Sequence, residues 1–194
     1  MAILLVRHGE TDLNAQRIIQ FPDTPLSERG LAQADHLGRH LAGRQIGHIL
    51  SSDYARALQT ATSIEHHTGA PLELNERLRE RNFGDMRGTR YTGLDAGIYA
   101  PDYEPPAGES WPVFHARVDV AWREVLGTRE RMPGGDLVVV THGLVCDSLF
   151  DRVLDAPGDN GDARRVVPNT SFTVIDDAAP WRIRRFACVD HLAP

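Results

Sequence analysis

Short apolar runs alternate along this chain with segments whose apolar residues recur at the spacing of an α-helix. The runs have the length and composition of buried strands, and they cover residues 3–7, 46–50, 71–74, 137–141, 172–175 and 183–187. Helices are predicted after the N-cap residues Ser27 and Ser110, from Ala55 to a stop near Gly69, and over residues 144–154. The helix after Ser27 presents one apolar stripe, formed by Leu31, Ala34, Leu37 and Leu41. This alternation predicts an α/β fold of three layers, a mostly parallel sheet flanked by helices.

Residues 81–109 interrupt the periodicity. Glycines, prolines and three tyrosines dominate this stretch, and a long irregular segment within a compact domain is usually functional or disordered. The aromatic residues favour a packed lid. Because 194 residues suffice for one well-buried domain, we expect a single domain over residues 1–194, with 81–109 as a lid that contributes to specificity. Residues 155–165 are predicted to form a second, polar loop.

Composition narrows the classes of partner. The chain is 41% hydrophobic and 25% charged, as is ordinary for a soluble protein, and its net charge is −6. That charge argues against a binder of nucleic acid or of anionic membranes. No apolar run reaches membrane-spanning length, and the first strand begins too early to leave room for a signal peptide. The two cysteines, Cys146 and Cys188, form no CxxC motif. We therefore expect a cytoplasmic protein, and the sequence leaves its oligomeric state open.

Two of the predicted strands end in His-Gly. Arg7-His8-Gly9 follows the first strand, and His142-Gly143 follows the strand over residues 137–141. Open α/β sheets bind ligands at the carboxyl ends of their strands, so both imidazoles are expected to face one pocket there. A histidine can act as a nucleophile toward phosphorus, and an arginine offers donors that match phosphate oxygens.

Two further groups have competing interpretations. Arg56 falls in the first turn of the helix that follows Ser51-Ser52-Asp53, a Ser/Asp cluster suited to a helix start. It either joins Arg7 in binding a dianion or lies on the surface, paired with Asp53. Glu80 opens the irregular stretch, where it is either a general acid or a solvated carboxylate between two arginines.

The order of these groups resembles that of the histidine phosphatase superfamily, also called the phosphoglycerate mutase-like family. Matching segments extend over nearly the whole chain, namely residues 5–11 with Asn14, 24–30 with Gln33 and Ala34, 51–61, 78–84, 108–110, 140–143, 169–171 and 190–192. An isolated Arg-His-Gly is a weak signal, whereas the ordered set is specific. The resemblance implies a phosphoglycerate mutase-like version of the predicted fold.

The resemblance also implies a mechanism of phosphoryl transfer. His8 attacks the phosphoryl group, and Glu80 protonates the leaving alkoxide and then deprotonates the water that attacks phosphohistidine. The phosphate oxygens are held by Arg7, Asn14, Arg56 and His142. The three cationic groups among them, Arg7, Arg56 and His142, stabilise the transferred phosphoryl group, so neither a metal nor another cofactor is expected. His36 and His40 have a possible metal spacing, but no third ligand is apparent. Gly9 is expected to let the backbone approach the phosphate.

The function implied in this way is a metal-independent phosphatase for a small phosphorylated metabolite. Two alternatives are a cofactor-dependent phosphoglycerate mutase and a phospho-ligand binding module with weak catalysis. Negative charge at Asp102, Glu104 and Glu109 argues against the mutase, and the complete catalytic set argues against the binding module.

One segment departs from the family pattern. Where relatives often have Trp and Glu after the Phe-Gly that follows the acid, this chain has Met86 and Arg87. Either Arg87 or Arg90 could bind a second anionic group of the substrate, or both could be ordinary surface residues. The sequence does not identify that substrate.

Overall fold

The predicted apolar runs pair into one sheet. The computed structural model describes residues 1–91, 95–154 and 166–193. Within these ranges the strands are β1 (Ala2–Arg7), β2 (Ile46–Ser51), β3 (Leu72–Leu74), β4 (Asp136–Thr141), β5 (Phe172–Asp176) and β6 (Ile183–Cys188). Their order is β3-β2-β4-β1-β5-β6. The first four strands of that order run parallel, β5 runs antiparallel to β1, and β6 runs antiparallel to β5. The prediction of a mostly parallel sheet is confirmed.

Four helices form where they were predicted, and the two short helices over residues 12–15 and 95–98 were not predicted. The helices are α1 (Asp12–Ala15), α2 (Glu28–Leu41), α3 (Ala55–Thr68), α4 (Asp95–Ile98), α5 (Trp111–Arg131) and α6 (Gly143–Arg152). Ser27 caps α2 by accepting a hydrogen bond from the Gly30 amide, and Ser110 caps α5. Gly69 ends α3 in the left-handed conformation, with φ of 68°, which glycine adopts without steric cost.

Alternate strand residues face two separate cores. On one side of the sheet, Ile3 and Leu5 of β1 pack in the cluster that contains apolar residues of α5 and α6. On the other side, Leu4 and Val6 pack with residues of α2 and α3. This period of two is that of a strand buried on both faces, and it confirms the three predicted layers. In α2, Ala34, Leu37 and Leu41 are buried, whereas Leu31 is 49% exposed. The expectation that it belongs to the buried stripe of α2 is wrong.

The stretch over residues 81–109 is irregular but packed where it is described. It contains a 3-10 turn at Gly84–Met86 and the single turn of α4. Arg81 lies beneath it, 2% exposed, and donates to the carbonyls of Ile98, Tyr103 and Glu109. Its guanidinium lies 3.8 Å from the centre of the Trp111 ring. Residues 92–94 and the predicted loop 155–165 lie outside the described ranges.

Two expectations from composition concern the cysteines and membrane-spanning helices. Cys146 and Cys188 are free and buried. Among the described residues, no helix has the length and apolar character needed to cross a bilayer.

Candidate active site

The carboxyl ends of β1 and β4 bring the two His-Gly pairs together. Arg7 is opposite Thr141 in the parallel register, so His8 and His142 leave the sheet at the same level. The centres of the two imidazole rings are 5.2 Å apart. Both side chains are buried, with exposures of 2% for His8 and 0% for His142. The two strand ends therefore build one buried site, as their sequence pattern predicts.

Hydrogen bonds fix the tautomer of His8. Its Nδ1 lies 2.7 Å from the Gly9 carbonyl oxygen, which can only accept, so Nδ1 carries the proton. Its Nε2 accepts from Arg56 Nε at 3.3 Å and therefore holds a lone pair. Burial, followed by the charges of Arg56 and Arg7, holds the pKa of His8 well below its ordinary value. The imidazole is neutral near pH 7, with Nε2 as its nucleophilic atom.

Arg56 lies inside the site. It is 2% exposed, and its Nη1 donates to the Phe21 carbonyl at 3.0 Å. Burial lowers its pKa to about 10, so the guanidinium stays charged near neutral pH. Asp53 pairs with Arg79 instead. The alternative of a surface pair between Arg56 and Asp53 is therefore wrong.

The start of α3 differs from its prediction. Tyr54 occupies the N-cap position and makes no side-chain capping bond, so the preceding Ser/Asp cluster does not cap the helix. Ser52 serves the site instead, because its hydroxyl lies 2.8 Å from His142 Nε2. The sequence analysis missed this role, since Ser52 has the same residue type and position as an ordinary helix cap.

Ser52 also orients the proton of His142. The Ser52 oxygen accepts from the Tyr54 amide at 3.3 Å, which leaves its own hydrogen free to be donated to His142 Nε2. The remaining proton of neutral His142 then lies on Nδ1, and that buried atom has no hydrogen-bond partner among the described residues. Burial holds the pKa of His142 well below its ordinary value. The ring is thus a neutral donor with its N–H unused.

Arg7 offers a second unused donor. Its Nη1 donates to the Val167 carbonyl at 2.5 Å, while its buried Nε lacks a partner in the described part of the chain. A buried polar atom without a hydrogen bond costs free energy. Unpaired donors on both Arg7 and His142 indicate a site arranged for an anion that accepts from both.

Glu80 reaches the same place from the segment that follows β3. Its Oε1 accepts from the Arg81 amide at 3.0 Å, and its Oε2 accepts from the Leu144 amide at 3.2 Å, in the first turn of α6. Burial raises the pKa of this carboxyl despite those bonds and the charges of Arg56 and Arg7. The alternative of a solvated carboxylate is wrong, because Glu80 is partly buried and directed into the site.

Asn14 is positioned by its neighbours in α1 and by a second asparagine. Its Oδ1 accepts from the Thr11 amide at 2.7 Å, and its Nδ2 is 3.5 Å from Asn169 Oδ1. Asn169 in turn donates to the His8 carbonyl at 3.0 Å. Asn14 therefore presents an amide N–H to the site, and Asn169 links it to the strand end that carries His8.

These groups border a cavity of about 520 Å³. Its described lining contains Arg7, His8, Asn14, Arg56 and Glu80, together with further arginines and an apolar wall. His142 is completely buried behind this lining. The only acidic side chain in the described lining is Glu80. Asp102, Glu104 and Glu109 do not belong to that described lining, and the expectation that their charge disfavours a mutase substrate stays a prediction.

The two glycines have different roles. A Cβ at Gly9 would lie 2.7 Å from the Gly30 carbonyl oxygen, and the Gly9 amide already donates to Thr60 Oγ1. Gly9 therefore permits close packing against the start of α2, and the expectation that it lets the backbone approach the phosphate stays a prediction. A Cβ at Gly143 would lie 3.8 Å from Arg7 Nε and 4.0 Å from Glu80 Oε2. Gly143 thus leaves open the space between these two groups.

A partly buried ion pair holds the segment that carries Glu80. Arg117 of α5 binds both carboxylate oxygens of Glu109, at 2.8 and 2.7 Å. The same guanidinium donates to the carbonyls of Arg77, Arg79 and Glu80, and Glu109 Oε2 accepts from the Asn82 amide. The pair thus forms hydrogen bonds with the backbone on both sides of Glu80. Sequence reasoning missed Arg117, because nothing in the helical pattern of α5 distinguishes it from a surface arginine.

Comparison with known proteins agrees with this geometry. The model of the histidine phosphatase superfamily (branch 1) matches residues 3–188. Phosphoglycerate mutase-like protein 4 of Arabidopsis thaliana is 35% identical, over 98% of this chain and 86% of the relative. Glucosyl-3-phosphoglycerate phosphatase of Mycolicibacterium vanbaalenii is also 35% identical, over 81% of this chain and 76% of the relative. The solved structure of Bacillus stearothermophilus YhfR superimposes with a TM-score of 0.84 at 28% identity, covering 99% of each chain.

Proposed function

Because this chain belongs to the histidine phosphatase superfamily, branch 1, we propose that it is a phosphomonoesterase that hydrolyses a small phosphorylated metabolite through a phosphohistidine on His8. One observation carries the proposal. The lone pair of His8 Nε2 lies at the same buried strand edge as two unpaired donors, Arg7 Nε and His142 Nδ1. A nucleophile and donors for an anion are the two requirements of phosphoryl transfer without a metal.

In the first step, His8 Nε2 attacks phosphorus and the bond to the leaving oxygen breaks. The guanidinium of Arg56 now donates to that nitrogen, and it moves its hydrogen bond to a phosphate oxygen when the substrate binds. Arg7, Asn14 and His142 donate to the remaining oxygens. Glu80 protonates the leaving alkoxide, for which its raised pKa is suited.

In the second step, water attacks the phosphohistidine and His8 is regenerated. Glu80 is now ionised and removes a proton from the attacking water. Because the Gly9 carbonyl holds the proton on Nδ1, the ring returns to the tautomer in which Nε2 is nucleophilic. No step needs a metal ion, and that independence is a prediction. The expectation of a cytoplasmic protein also stays a prediction.

A mutase is the second candidate. A relative that covers 98% of this chain is named phosphoglycerate mutase-like protein 4, and the described lining of the cavity does not contain the carboxylates that were expected to repel an acidic substrate. Both activities use a phosphohistidine, and they differ in whether water or a second hydroxyl accepts the phosphoryl group.

The test is hydrolysis in the presence of a chelator. The purified protein is expected to release phosphate from p-nitrophenyl phosphate and from small alkyl phosphates in excess EDTA, and vanadate, which mimics five-coordinate phosphorus, is expected to inhibit. Activity lost in EDTA and restored by magnesium or zinc would overturn the mechanism. Isomerisation of phosphoglycerate that is faster than phosphate release would favour the mutase.

A further inference from the structure

The cavity has more positive charge than the phosphate site uses. Its described lining includes five arginines, namely Arg7, Arg17, Arg56, Arg81 and Arg87. Arg7 and Arg56 border the catalytic histidine, and Arg81 is engaged by three backbone carbonyls. Two arginines, Arg17 and Arg87, have no part in the mechanism above.

Arg17 and Arg87 belong to two segments that pair with each other beside the cavity. The segments around Ile18 and Arg90 pair as a short antiparallel bridge. The Tyr91 amide donates to the Arg17 carbonyl at 3.0 Å, and the Gly88 amide donates to the Ile19 carbonyl at 2.8 Å. These bonds hold Arg17 and Arg87 on neighbouring backbone segments, and both residues line the cavity.

A hydrogen bond to an uncharged side chain orients Arg87 and leaves its positive charge without a negative partner among the described residues. Its Nη2 donates to Asn82 Oδ1 at 2.7 Å, and that oxygen also accepts from the Gly84 amide at 2.9 Å. The partner is an uncharged amide, and no acidic side chain among the described residues forms an ion pair with Arg87. Burial is the main cause that lowers the pKa of Arg56, and the charge of Arg87 adds to it. The charges of Arg87 and Arg56 thus oppose each other.

Arg17 is exposed at the rim. Its φ is 57°, a conformation that non-glycine residues rarely adopt, and its backbone is held by bonds to Asn14 and Tyr91. Its side chain makes no hydrogen bond or ion pair with the described part of the chain. The guanidinium is therefore available to a ligand that extends outward from the phosphate site.

Arg90 differs from both. It is exposed, its Nη1 donates to the Gln16 carbonyl at 3.1 Å, and it is absent from the described lining of the cavity. The sequence suggested Arg87 or Arg90 as the ligand of a second anionic group, and the structure favours Arg87.

We propose that the substrate carries a second anionic group, a carboxylate or a second phosphate, and that Arg87 and Arg17 bind it at the edge of the phosphate site. The inference rests on the proposed phosphatase function and narrows its substrate class. Guanidinium groups bind both kinds of anion through charge-assisted hydrogen bonds. The cavity volume of about 520 Å³ lies within the ordinary range for small-molecule sites.

Three matched probes test the proposal. Glycerol 3-phosphate carries one anionic group. 3-Phosphoglycerate replaces its hydroxymethyl group by a carboxylate, and glycerol 1,3-bisphosphate adds a second phosphate. The wild type is expected to prefer at least one doubly charged probe by about tenfold or more in kcat/KM, and the favoured probe identifies the anion. A wild type that prefers neither doubly charged probe overturns the proposal.

Variants locate the site. Arg87→Gln is expected to reduce the preference ratio about tenfold, mainly through KM, and Arg17→Gln to reduce it less because Arg17 is more exposed. The ratio within each variant cancels a general loss of activity. Arg90→Gln is the matched control and keeps both the ratio and the rate. A ratio unchanged in Arg87→Gln overturns the assignment.

Binding separates this inference from the proposed function. If the wild type fails to hydrolyse even p-nitrophenyl phosphate, the phosphatase proposal fails. A doubly charged probe is still expected to raise the Tm of the wild type more than glycerol 3-phosphate does, because a ligand stabilises the state that binds it more tightly. Equal Tm shifts for all three probes overturn the second anionic site.

Discussion

At the scale of single residues, hydrogen bonds separate the roles of two histidines that occupy equivalent strand ends. His8 has its Nδ1 proton committed to the Gly9 carbonyl, so its lone pair lies on Nε2, beside Arg56. When Ser52 donates to His142 Nε2, the neutral ring carries its proton on Nδ1, an atom without a hydrogen-bond partner among the described residues. One ring is therefore arranged to attack phosphorus, and the other is arranged to bind phosphate oxygen.

Glu80→Gln tests the proton donor. In phosphoryl transfer to His8, an alkoxide needs a proton and a nitrophenolate hardly does. The variant is therefore expected to slow this first step by roughly 10²–10⁴-fold for alkyl phosphates and much less for p-nitrophenyl phosphate. Rapid-quench measurement of the first step provides the comparison. An equal loss for both classes of substrate would show that Glu80 is not the acid.

The pH profile gives an independent check on Glu80. As an acid it is active while protonated, so the rate of the first step with alkyl phosphates falls as pH rises through its pKa. Because burial raises that pKa above the ordinary value of 4.5, the alkaline fall is expected above pH 4.5. The fall should be absent in Glu80→Gln. A fall that persists in the variant would assign it to another group.

At the scale of secondary-structure elements, the sequence predicted strand ends and caps better than the contacts between distant elements. Arg7 and His8 were predictable because a buried strand delivers its last residues to a known edge of the sheet. Leu31 was misplaced because periodicity does not locate the edge of a buried helical face. Arg117 was missed because its acceptors, the carbonyls of residues 77, 79 and 80, lie far away in sequence.

We predict that Arg117 positions Glu80 for proton transfer. Arg117→Lys keeps the charge, but an ammonium cannot reproduce the bidentate bond to Glu109 and the three bonds to backbone carbonyls. It is expected to lower kcat for alkyl phosphates about tenfold, with KM nearly unchanged and a smaller effect on p-nitrophenyl phosphate. Steady-state kinetics on both substrates measures the difference.

Arg123→Lys is the matched control. Arg123 is exposed on the same helix and makes no hydrogen bond or ion pair within the described ranges, so the variant should resemble the wild type. A loss in Arg117→Lys that is equal for both substrates would indicate a general structural role rather than positioning of Glu80.

At the scale of the whole molecule, a chain of net charge −6 concentrates arginines in one cavity. The topology of the sheet brings these arginines together. Strands β1 and β4 end side by side, and α3, α6 and the segment after β3 converge on that edge. Charge counted along the sequence did not reveal which side chains face the cavity. Asp102, Glu104 and Glu109 lie near Glu80 in sequence, yet they are absent from the described lining, and Glu109 is engaged by Arg117.

The central claim is that His8 carries the phosphoryl group during turnover. The most direct measurement is rapid quench of Glu80→Gln with p-nitrophenyl phosphate labelled at phosphorus, because that variant should form the phosphoenzyme and hydrolyse it slowly. Peptides are then mapped under alkaline conditions, which preserve phosphohistidine. Label is expected on the peptide that contains His8, and His8→Ala in the same background should show none. Label on the His142 peptide or on a serine such as Ser51 would contradict the claim.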